Sequence, residues 1–449
     1  MTDQIPGEAA GETASKRIPI AVSVSRLPWK EIAWVVAGQV ATLAGSLAAL
    51  KVLTTVLPAS VYGEVNLVLV SCTLPTLVLL APVTQSCFRF YTEHAERGSL
   101  PALLGTTIGL QIGVVVLMGL AVALALVSGG AERIGISPGT IAWGFVLFAT
   151  DSGRNLCLTV AAAARKRTIV AAGFAADAWL RPIGAVSFVL LFGRESAAAI
   201  AGFAVAGICS LVPFSVWLAR QTTGLRIERG IVSEILRYGL PYGIWGIFGW
   251  AQSGADRYMV DHWLTRADVG RYVAGSQVGG FPFSVAGAFV GQLINPVLFQ
   301  RAGDGSEPRK VDSAKRLLFK MGLLFILFGL VTLLFLYLFG PALFSLLTGR
   351  RDYMVPLPIL LLLSIGAFIF QLSQIFAVMF LIHKKSMLLL WPKIVGGITA
   401  VIIGILLIPK FGLLGAAISN VCASIILLFG FWMGPTKKIW QRIPIEDEV

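Results

Sequence analysis

Apolar runs of about 20 residues recur along almost the whole chain and constrain its fold more than any other feature. A helix of about 20 apolar residues crosses the hydrocarbon core of a bilayer and satisfies its own backbone hydrogen bonds there. The 449-residue sequence contains twelve such runs. They lie at about 32–57, 65–83, 101–128, 141–163, 168–192, 197–219, 239–263, 269–299, 317–345, 354–382, 386–409 and 411–433. The pattern predicts an all-α polytopic membrane protein with about 12 transmembrane helices.

The composition agrees with this class. Hydrophobic residues make up 56% of the chain and charged residues 13%, whereas a soluble domain has about 25% charged residues. A net charge of +13 would also suit a nucleic-acid-binding protein, but the cations lie in short loops between apolar runs, as is typical of membrane proteins. We therefore expect no nucleic-acid partner. The five cysteines are scattered and have no metal-like spacing with the three histidines, so we expect no metal and no cofactor.

The distribution of Lys and Arg predicts the orientation. Of the 36 Lys and Arg residues, five lie well inside spans and seven in or next to the loops on one side, which leaves 24 on the other side. Cytoplasmic loops carry the excess of Lys and Arg. We therefore expect an inner (plasma) membrane protein with cytoplasmic tails at 1–31 and 434–449. The first tail lacks the apolar region of a secretory signal and is expected to be disordered.

The middle of the chain separates two halves. Residues 220–238 combine Arg226, Arg229 and Arg237 with isoleucines at nearly helical spacing, which predicts an amphipathic helix on the cytoplasmic surface. We expect this linker to join an N lobe (32–219) to a C lobe (239–433), with the seventh span opening at Pro241.

A short repeat supports the division. The first span ends in the stretch Leu57–Gly63, and the seventh ends in Leu264–Gly270 with the same spacing from Leu to Gly. Aligned on these glycines, Lys51 falls opposite Tyr258, next to Arg257. Since six spans preserve the orientation of the chain, the repeat is expected to be parallel. The sequence thus predicts two parallel six-helix lobes with Gly63 and Gly270 at equivalent outer turns.

Several stretches resemble a known family. LRYGLP at 236–241, followed by ADRYMV at 255–260 and ADVGRY at 267–272, resembles the mid-chain signature of the polysaccharide transporter family, the Wzx-like flippases of lipid-linked oligosaccharides. Also similar are VLPASVYGEVNLVLV at 56–70, FSLLTGRRDYMVPLPILLLLS at 344–364 and LLIPKFGLLGAAISN at 406–420. One departure is VGGITAVIIG at 395–404, which lacks the asparagines often found there.

The resemblance has implications for the fold. The family belongs to the multidrug/oligosaccharidyl-lipid/polysaccharide flippase superfamily, which also contains the MATE drug exporters and the lipid II flippases. It implies a MATE-like fold, with two six-helix lobes around a central cavity that opens alternately to each face.

Charged residues inside the spans are the candidate site residues. A charge that faces lipid costs several kcal/mol, so such residues normally face an interior, a partner or water. Asp151 and Arg154 are spaced i,i+3, and Asp177 and Arg181 are spaced i,i+4, so each pair shares a helical face. These pairs either neutralise themselves as structural contacts or handle substrate and ions. Lys51 and Lys393 have no nearby acid in their own helices.

The diphosphate of a lipid-linked sugar requires cations, and Arg and Lys supply charge-assisted hydrogen bonds to it. Six cations are candidate diphosphate ligands: Lys51, Arg89, Arg154, Arg181, Arg257 and Lys393. Arg89 lies among aromatic residues, where snorkelling to the interface is the alternative. The ion-coupling candidates are Asp151, Asp177 and Asp256. Uncharged polar residues serve either sugar hydroxyls or helix packing: Gln39, Gln252, Gln277, Asn295, Gln371, Gln374 and Asn420.

No Walker loop, HExxH motif or acidic cluster occurs in the sequence, which argues against an enzyme and against an ATP-driven pump. The resemblance to the polysaccharide transporters then implies a flippase, expected to be monomeric, that moves undecaprenyl-diphosphate-linked oligosaccharide to the outer leaflet for exopolysaccharide, capsule or O-antigen (lipopolysaccharide) synthesis. Its expected partners are this substrate, membrane lipids, a polysaccharide polymerase and glycosyltransferases. Two alternatives are a cation-coupled exporter of small drugs and a non-transporting scaffold of a polysaccharide assembly complex.

Overall fold

The structure is a computed structural model, and it describes residues 29–221, 224–302, 307–382 and 386–432. These residues form twelve long helices. No strand occurs in these ranges. The predicted tails at 1–31 and 434–449 lie outside them, apart from residues 29–31. The helices are α1 (Trp29–Val56), α2 (Ala59–Glu96), α3 (Leu100–Val127), α4 (Pro138–Ala163), α5 (Arg167–Phe192), α6 (Ser196–Gln221), α7 (Arg229–Ser253 and Ala255–Trp263), α8 (Arg266–Phe289, Val290–Ile294 and Asn295–Ala302), α9 (Pro308–Leu347), α10 (Leu357–Ile382), α11 (Leu390–Phe411) and α12 (Leu413–Trp432).

The twelve helices coincide with the twelve apolar runs, and the all-α membrane fold is confirmed. Nine of the described helices are long and apolar enough to cross a membrane. Helices α4, α7 and α8 fall short of that hydropathy because charged residues and glycines interrupt them. Large apolar side chains such as Leu120, Leu124 and Leu334 are more than half exposed, as expected for a surface that lies in lipid.

The helices form two lobes of the same topology. In the first lobe α1 packs on α5, α5 on α6, α4 on α6, and α2 on α3 and α4. In the second lobe α7 packs on α11, α11 on α12, α10 on α12, and α8 on α9 and α10. The two sets of contacts follow the same order along the chain. The prediction of two parallel six-helix lobes is therefore confirmed.

The lobes cross where α2 and α8 begin. A Cβ atom on Gly63 would lie 2.0 Å from the carbonyl oxygen of Arg266, and one on Gly270 would lie 2.1 Å from that of Ala59. Only glycine permits so close an approach of two backbones. We name this side of the molecule the Gly63 end and the opposite side, where α1 begins, the Trp29 end.

The seventh helix begins earlier than the predicted seventh span. Helix α7 begins at Arg229 and continues through Pro241 without a break; its interruption lies at Gly254. Ile231 and Ile235 are buried against side chains of α2 and α3, so the first turns of α7 join the core instead of lying on the membrane surface. Burial of these apolar residues offsets the one backbone hydrogen bond that proline removes.

Residues 224–228 of the predicted linker precede α7 without helical structure and cross the start of α3. The backbone N–H of Arg226 donates to the carbonyl oxygen of Pro101 at 3.5 Å. That of Glu228 donates to the Thr106 hydroxyl at 3.1 Å. The linker is thus fixed to the N lobe by its backbone.

Candidate functional site

Four charged side chains form one network between α4 and α5. The Arg181 guanidinium donates to Asp151 and, at 2.6 Å, to Asp177. Arg154 Nε lies 3.5 Å from an oxygen of Asp177 and 4.0 Å from one of Asp151. Arg181 therefore joins the two helices. Both pairs within one helix are present, and each arginine also reaches the acid of the neighbouring helix.

This network balances its own charge. Two guanidinium groups face two carboxylates, and Arg154 is only 6% exposed. Arg154 Nε and Nη1 have no hydrogen-bond partner among the described residues. Removing one member of such a buried group leaves another charge uncompensated. The four residues are well placed to hold α4 against α5.

Asp256 and Arg257 follow the break in α7 but do not pair with each other's side chains. One oxygen of Asp256 accepts from the Arg257 backbone N–H at 2.8 Å, and the other accepts from the Tyr272 hydroxyl at 2.5 Å. In the described ranges the Arg257 side chain makes no hydrogen bond or ion pair. It lies within electrostatic range of the hydroxyls of Tyr62, Tyr258 and Tyr272. The carboxylate is thus satisfied by protein donors, and the guanidinium is available.

A cavity of about 350 Å³ lies between the lobes. Its polar lining includes Ser46 of α1, Tyr62 and Asn66 of α2, and Gln277 of α8. The Tyr62 hydroxyl donates to Gln277 Oε1 at 3.1 Å and so connects the two lobes. The cavity therefore presents hydroxyl and amide groups beside the region that Arg257 occupies.

The Gly63 end is closed by contacts between the lobes. Lys51 Nζ donates to the carbonyl oxygen of Thr348 at 2.8 Å, where α9 ends. The neighbouring backbone N–H of Gly349 donates to the Thr54 hydroxyl at 2.9 Å. A cation at the C-terminus of a helix is favourable because carbonyl groups there have no partner within the helix. In this conformation Lys51 is a contact between the lobes.

A tyrosine strengthens the same closure. The Tyr353 hydroxyl donates to the carbonyl oxygen of Leu57 at 2.9 Å, and its ring packs edge-on against Tyr62. Burial raises the pKa of Tyr353 above its ordinary value, so this loop residue remains a hydrogen-bond donor at neutral pH. On the other side of the closure, Tyr258 shares a hydrogen bond with Ser71 of the N lobe. Lys51 and its aligned position, Tyr258, therefore both contact the opposite lobe.

Arg266 forms a second tie at the Gly63 end. Its guanidinium donates to Glu64 at 3.0 Å and to the carbonyl oxygens of Ile134 and Gly135 at 2.7 and 2.5 Å. Its Nε lies 3.7 Å from Asp261. The start of α8 is thereby fastened to α2 and to the loop before α4.

At the Trp29 end the two lobes are in contact where α2 packs on α7. The Ser86 hydroxyl donates to the Ile235 carbonyl oxygen at 3.0 Å, and His94 Nε2 lies 3.5 Å from Glu234. The corresponding half of α1 packs on α5 of its own lobe, against which Gly45 fits closely. Residues 36–45 of α1, whose side chains the structure describes, form no hydrogen bond or ion pair with the C lobe.

Arg89 and Lys393 lie apart from the other cations. Arg89 is exposed in the Trp29 half of α2, with its guanidinium 5.9 Å from the ring centre of Phe90. Lys393 is buried within the C lobe, where its Nζ lies 4.2 Å from the ring centre of Trp245 and donates to Gln374 at 3.2 Å. The six predicted diphosphate ligands therefore do not form a single cluster.

Solved structures share this architecture. An inward-facing multidrug resistance MATE family transporter of the MOP superfamily aligns with a TM-score of 0.64 and 15% identity over 87% of this chain and 93% of that chain. The lipid II flippase MurJ, in an inward closed conformation, aligns with a TM-score of 0.66 and 12% identity over 89% and 87%. For the Vibrio cholerae MATE transporter VcmN the values are 0.60 and 15%, over 93% and 97%. The chain has a MATE-like fold.

Sequence comparison adds nothing to the structural likeness. No family model matches the chain, and no curated protein matches it. At these low identities the solved structures show the fold alone.

Several polar residues of the interior were missed. A cavity of about 400 Å³ in the N lobe is lined by Gln85, Gln111 and Asn155 among others. Gln111 and Asn155 are amides within apolar runs, the same signal that pointed to Gln277, and Gln85 lies just beyond the end of a run. Tyr62 and Tyr272 gave no such signal because a tyrosine hardly interrupts a hydrophobic pattern. Their hydroxyls become evident only when the helices are packed.

Proposed function

We propose that this chain is a flippase that carries undecaprenyl-diphosphate-linked oligosaccharide from the cytoplasmic to the outer leaflet of the plasma membrane, for polysaccharide synthesis. The MATE-like fold supports transport, and the stretches that resemble the polysaccharide transporters support this substrate. The observation that carries the proposal is the charge available between the lobes. Arg257 has no partner among the described residues, whereas Asp151, Asp177 and Asp256 all accept hydrogen bonds from protein donors.

An available guanidinium suits an anionic head group. It binds phosphate oxygens in a bidentate manner, and the interaction is stronger where water is scarce. Asn66 and Gln277 in the neighbouring cavity provide the amide groups that sugar hydroxyls require. Arg257 would hold the diphosphate while the cavity receives part of the glycan.

Alternating access requires the closed end to open. We assign the Gly63 end to the outer face, because most Lys and Arg residues lie in the loops of the Trp29 end. Opening there separates Lys51 from Thr348 and Arg266 from Glu64. Lys51 then loses its carbonyl partner and becomes a second cation for the diphosphate during release.

The alternative is a cation-coupled exporter of small drugs, and one of the similar structures is named as a multidrug resistance transporter. A cationic drug needs a carboxylate that is free to bind it. Asp151 and Asp177 face two guanidinium groups, and both oxygens of Asp256 are occupied. The charge of the described interior thus favours an anionic substrate.

The test measures lipid-linked oligosaccharide in the inner leaflet of cells that lack this gene, with protein level in the membrane as reference. The wild-type chain should abolish the accumulation, and Arg257→Gln should not, although it reaches the membrane. The matched control is Arg351→Gln, an exposed arginine of the loop at the Gly63 end, which should act like wild type. Accumulation that persists with the wild-type chain would refute the flippase, and increased drug sensitivity alone would support the exporter.

A further inference from the structure

Lys393 occupies an unusual position for a charged side chain. It lies in the first turns of α11, is 8% exposed, and contacts the Trp245 ring and Gln374. Gln252 is also buried in this part of the C lobe, close to Gly396, and its Nε2 has no hydrogen-bond partner among the described residues. An ammonium group is thus enclosed by an indole ring and amides.

The helices packed around α11 offer no counter-charge. Its neighbours are α7, α12 and the turn Ser386–Leu389, and Gln374 reaches it from α10. The described parts of α10 and of that turn have no titratable residue, α12 has Cys422, and α11 itself has only Lys410 besides, at its far end. The titratable residues of α7 are Arg229, Glu234, Arg237, Tyr238, Tyr242, Asp256, Arg257, Tyr258, Asp261 and His262. None of them forms a hydrogen bond or ion pair with Lys393, whose described contacts are Gln374 and the Trp245 ring.

The other candidate charges differ from Lys393. Asp151, Arg154, Asp177 and Arg181 balance one another. Asp256 is held by two donors, and Lys51 by a helix terminus. Arg257 lacks a partner, but an arginine does not release its proton in a protein. Among these candidates in the described ranges, only Lys393 is buried, lacks a counter-charge and can lose its proton to become neutral.

We propose that Lys393 is the ion-coupling residue and that the ion is a proton. This rests on the proposed transport function and replaces the role of Lys393 as a diphosphate ligand. In one conformation the amine binds a proton from water, and the ammonium is held by the Trp245 ring and Gln374. In the other conformation it returns that proton to water as the neutral amine. The neutral amine loses the cation–π attraction to Trp245, so the contact between α7 and α11 depends on protonation.

The test uses the full chain without substrate. Spin labels are placed at Glu132 and Arg351, exposed residues of the two lobes at the Gly63 end, after replacement of the five native cysteines. Distances are measured in lipid nanodiscs from about pH 6 to about pH 11, which includes the ordinary range of lysine titration. Wild type should change its distance distribution with pH, whereas Lys393→Arg and Lys393→Gln should not. Lys410→Arg, an exposed site on the same helix, should respond like wild type.

Two results would overturn the proposal: a wild-type distribution that does not change with pH, and a Lys393→Arg variant that changes as wild type does. The arginine variant keeps the charge, a donor for Gln374 and the ring contact, so it decides the test even where the glutamine variant does not reach the membrane. The measurement contains no lipid-linked oligosaccharide. If the substrate assignment is wrong, the pH response of the distances is still expected. If Lys393 is not the coupling residue, the result of the lipid-linked oligosaccharide assay is unaffected.

Discussion

Gly63 and Gly270 each lie against a backbone carbonyl of the other's helix. The Cβ position of Gly63 is 2.0 Å from the Arg266 carbonyl oxygen, and that of Gly270 is 2.1 Å from the Ala59 carbonyl oxygen. The two residues that the sequence repeat aligned are therefore the place where the lobes touch.

Alanine at either glycine should force the lobes apart. A methyl group at these distances meets backbone, which gives way less easily than a side chain, and overpacking costs about 1–3 kcal/mol. We expect Gly63→Ala and Gly270→Ala to lower the melting temperature of the purified protein. Gly113→Ala, on a helix surface with open space around it, should leave it unchanged. Equal melting temperatures for all three variants would contradict the close crossing.

Replacement of Arg181 should be the most damaging single change in the network of α4 and α5. It leaves Asp151 and Asp177 with the more distant Arg154, and breaking a buried ion pair costs about 3–5 kcal/mol. The double change Asp151→Asn with Arg181→Gln should recover part of the loss, because Arg154 then keeps Asp177 as its counter-charge. The measurement is thermal stability in detergent. Full transport by this double variant would assign the network a structural role alone.

Arg257→Gln should fold as a single variant. Asp256 is satisfied by Tyr272 and by a backbone N–H, so the carboxylate does not depend on the guanidinium. We expect the single variant and the double variant Asp256→Asn with Arg257→Gln to reach the membrane at wild-type level and to accumulate lipid-linked oligosaccharide. Wild-type flipping by the double variant would refute the diphosphate role of Arg257 while leaving the fold in place.

Lys51 should control the opening of the Gly63 end. Lys51→Met removes the donor to the Thr348 carbonyl oxygen, whereas Lys51→Arg keeps one. In a chain whose five native cysteines are replaced, a cysteine is placed at Leu53, a buried residue of the cavity between the lobes. We expect the methionine variant to increase its reaction with a membrane-impermeant thiol reagent several-fold over the arginine variant. Lys320→Met, an exposed lysine of α9, is the control. Unchanged labelling in all variants would exclude Lys51 as a tie between the lobes.

Reporter fusions test the orientation. A reporter at residue 225 should be active in the cytoplasm, and one after residue 195 should be active outside. The reverse pattern would place the Gly63 end in the cytoplasm.

Sequence reasoning succeeded where the signal is local and repeated. The apolar runs located the helices because each span must satisfy its own backbone, and Leu57–Gly63 matched Leu264–Gly270 because both stretches serve the same crossing. Pro241 misled because burial of Ile231 and Ile235 extends α7 backwards past it. The spacing of the charges could not reveal that Arg181 reaches Asp151, which lies 30 residues earlier on another helix.

Arg257 shows a second limit of sequence reasoning. It is adjacent to Asp256 in the sequence, but neighbours along a helix point in different directions. Its availability depends on Tyr272, a residue one helix later that occupies the carboxylate.

Lys51 binds a main-chain carbonyl of residue 348, and every amino acid has that group. A mutation of Thr348 therefore leaves the acceptor in place. Only mutations of Lys51 should remove this hydrogen bond. The same holds where α2 and α8 cross. Gly63 contacts the backbone carbonyl of Arg266 there, so this contact requires the glycine but not a particular side chain at position 266. A suppressor screen started from Lys51→Met should accordingly return changes at other contacts of the closed end, such as Arg266 with Glu64, and none at position 348.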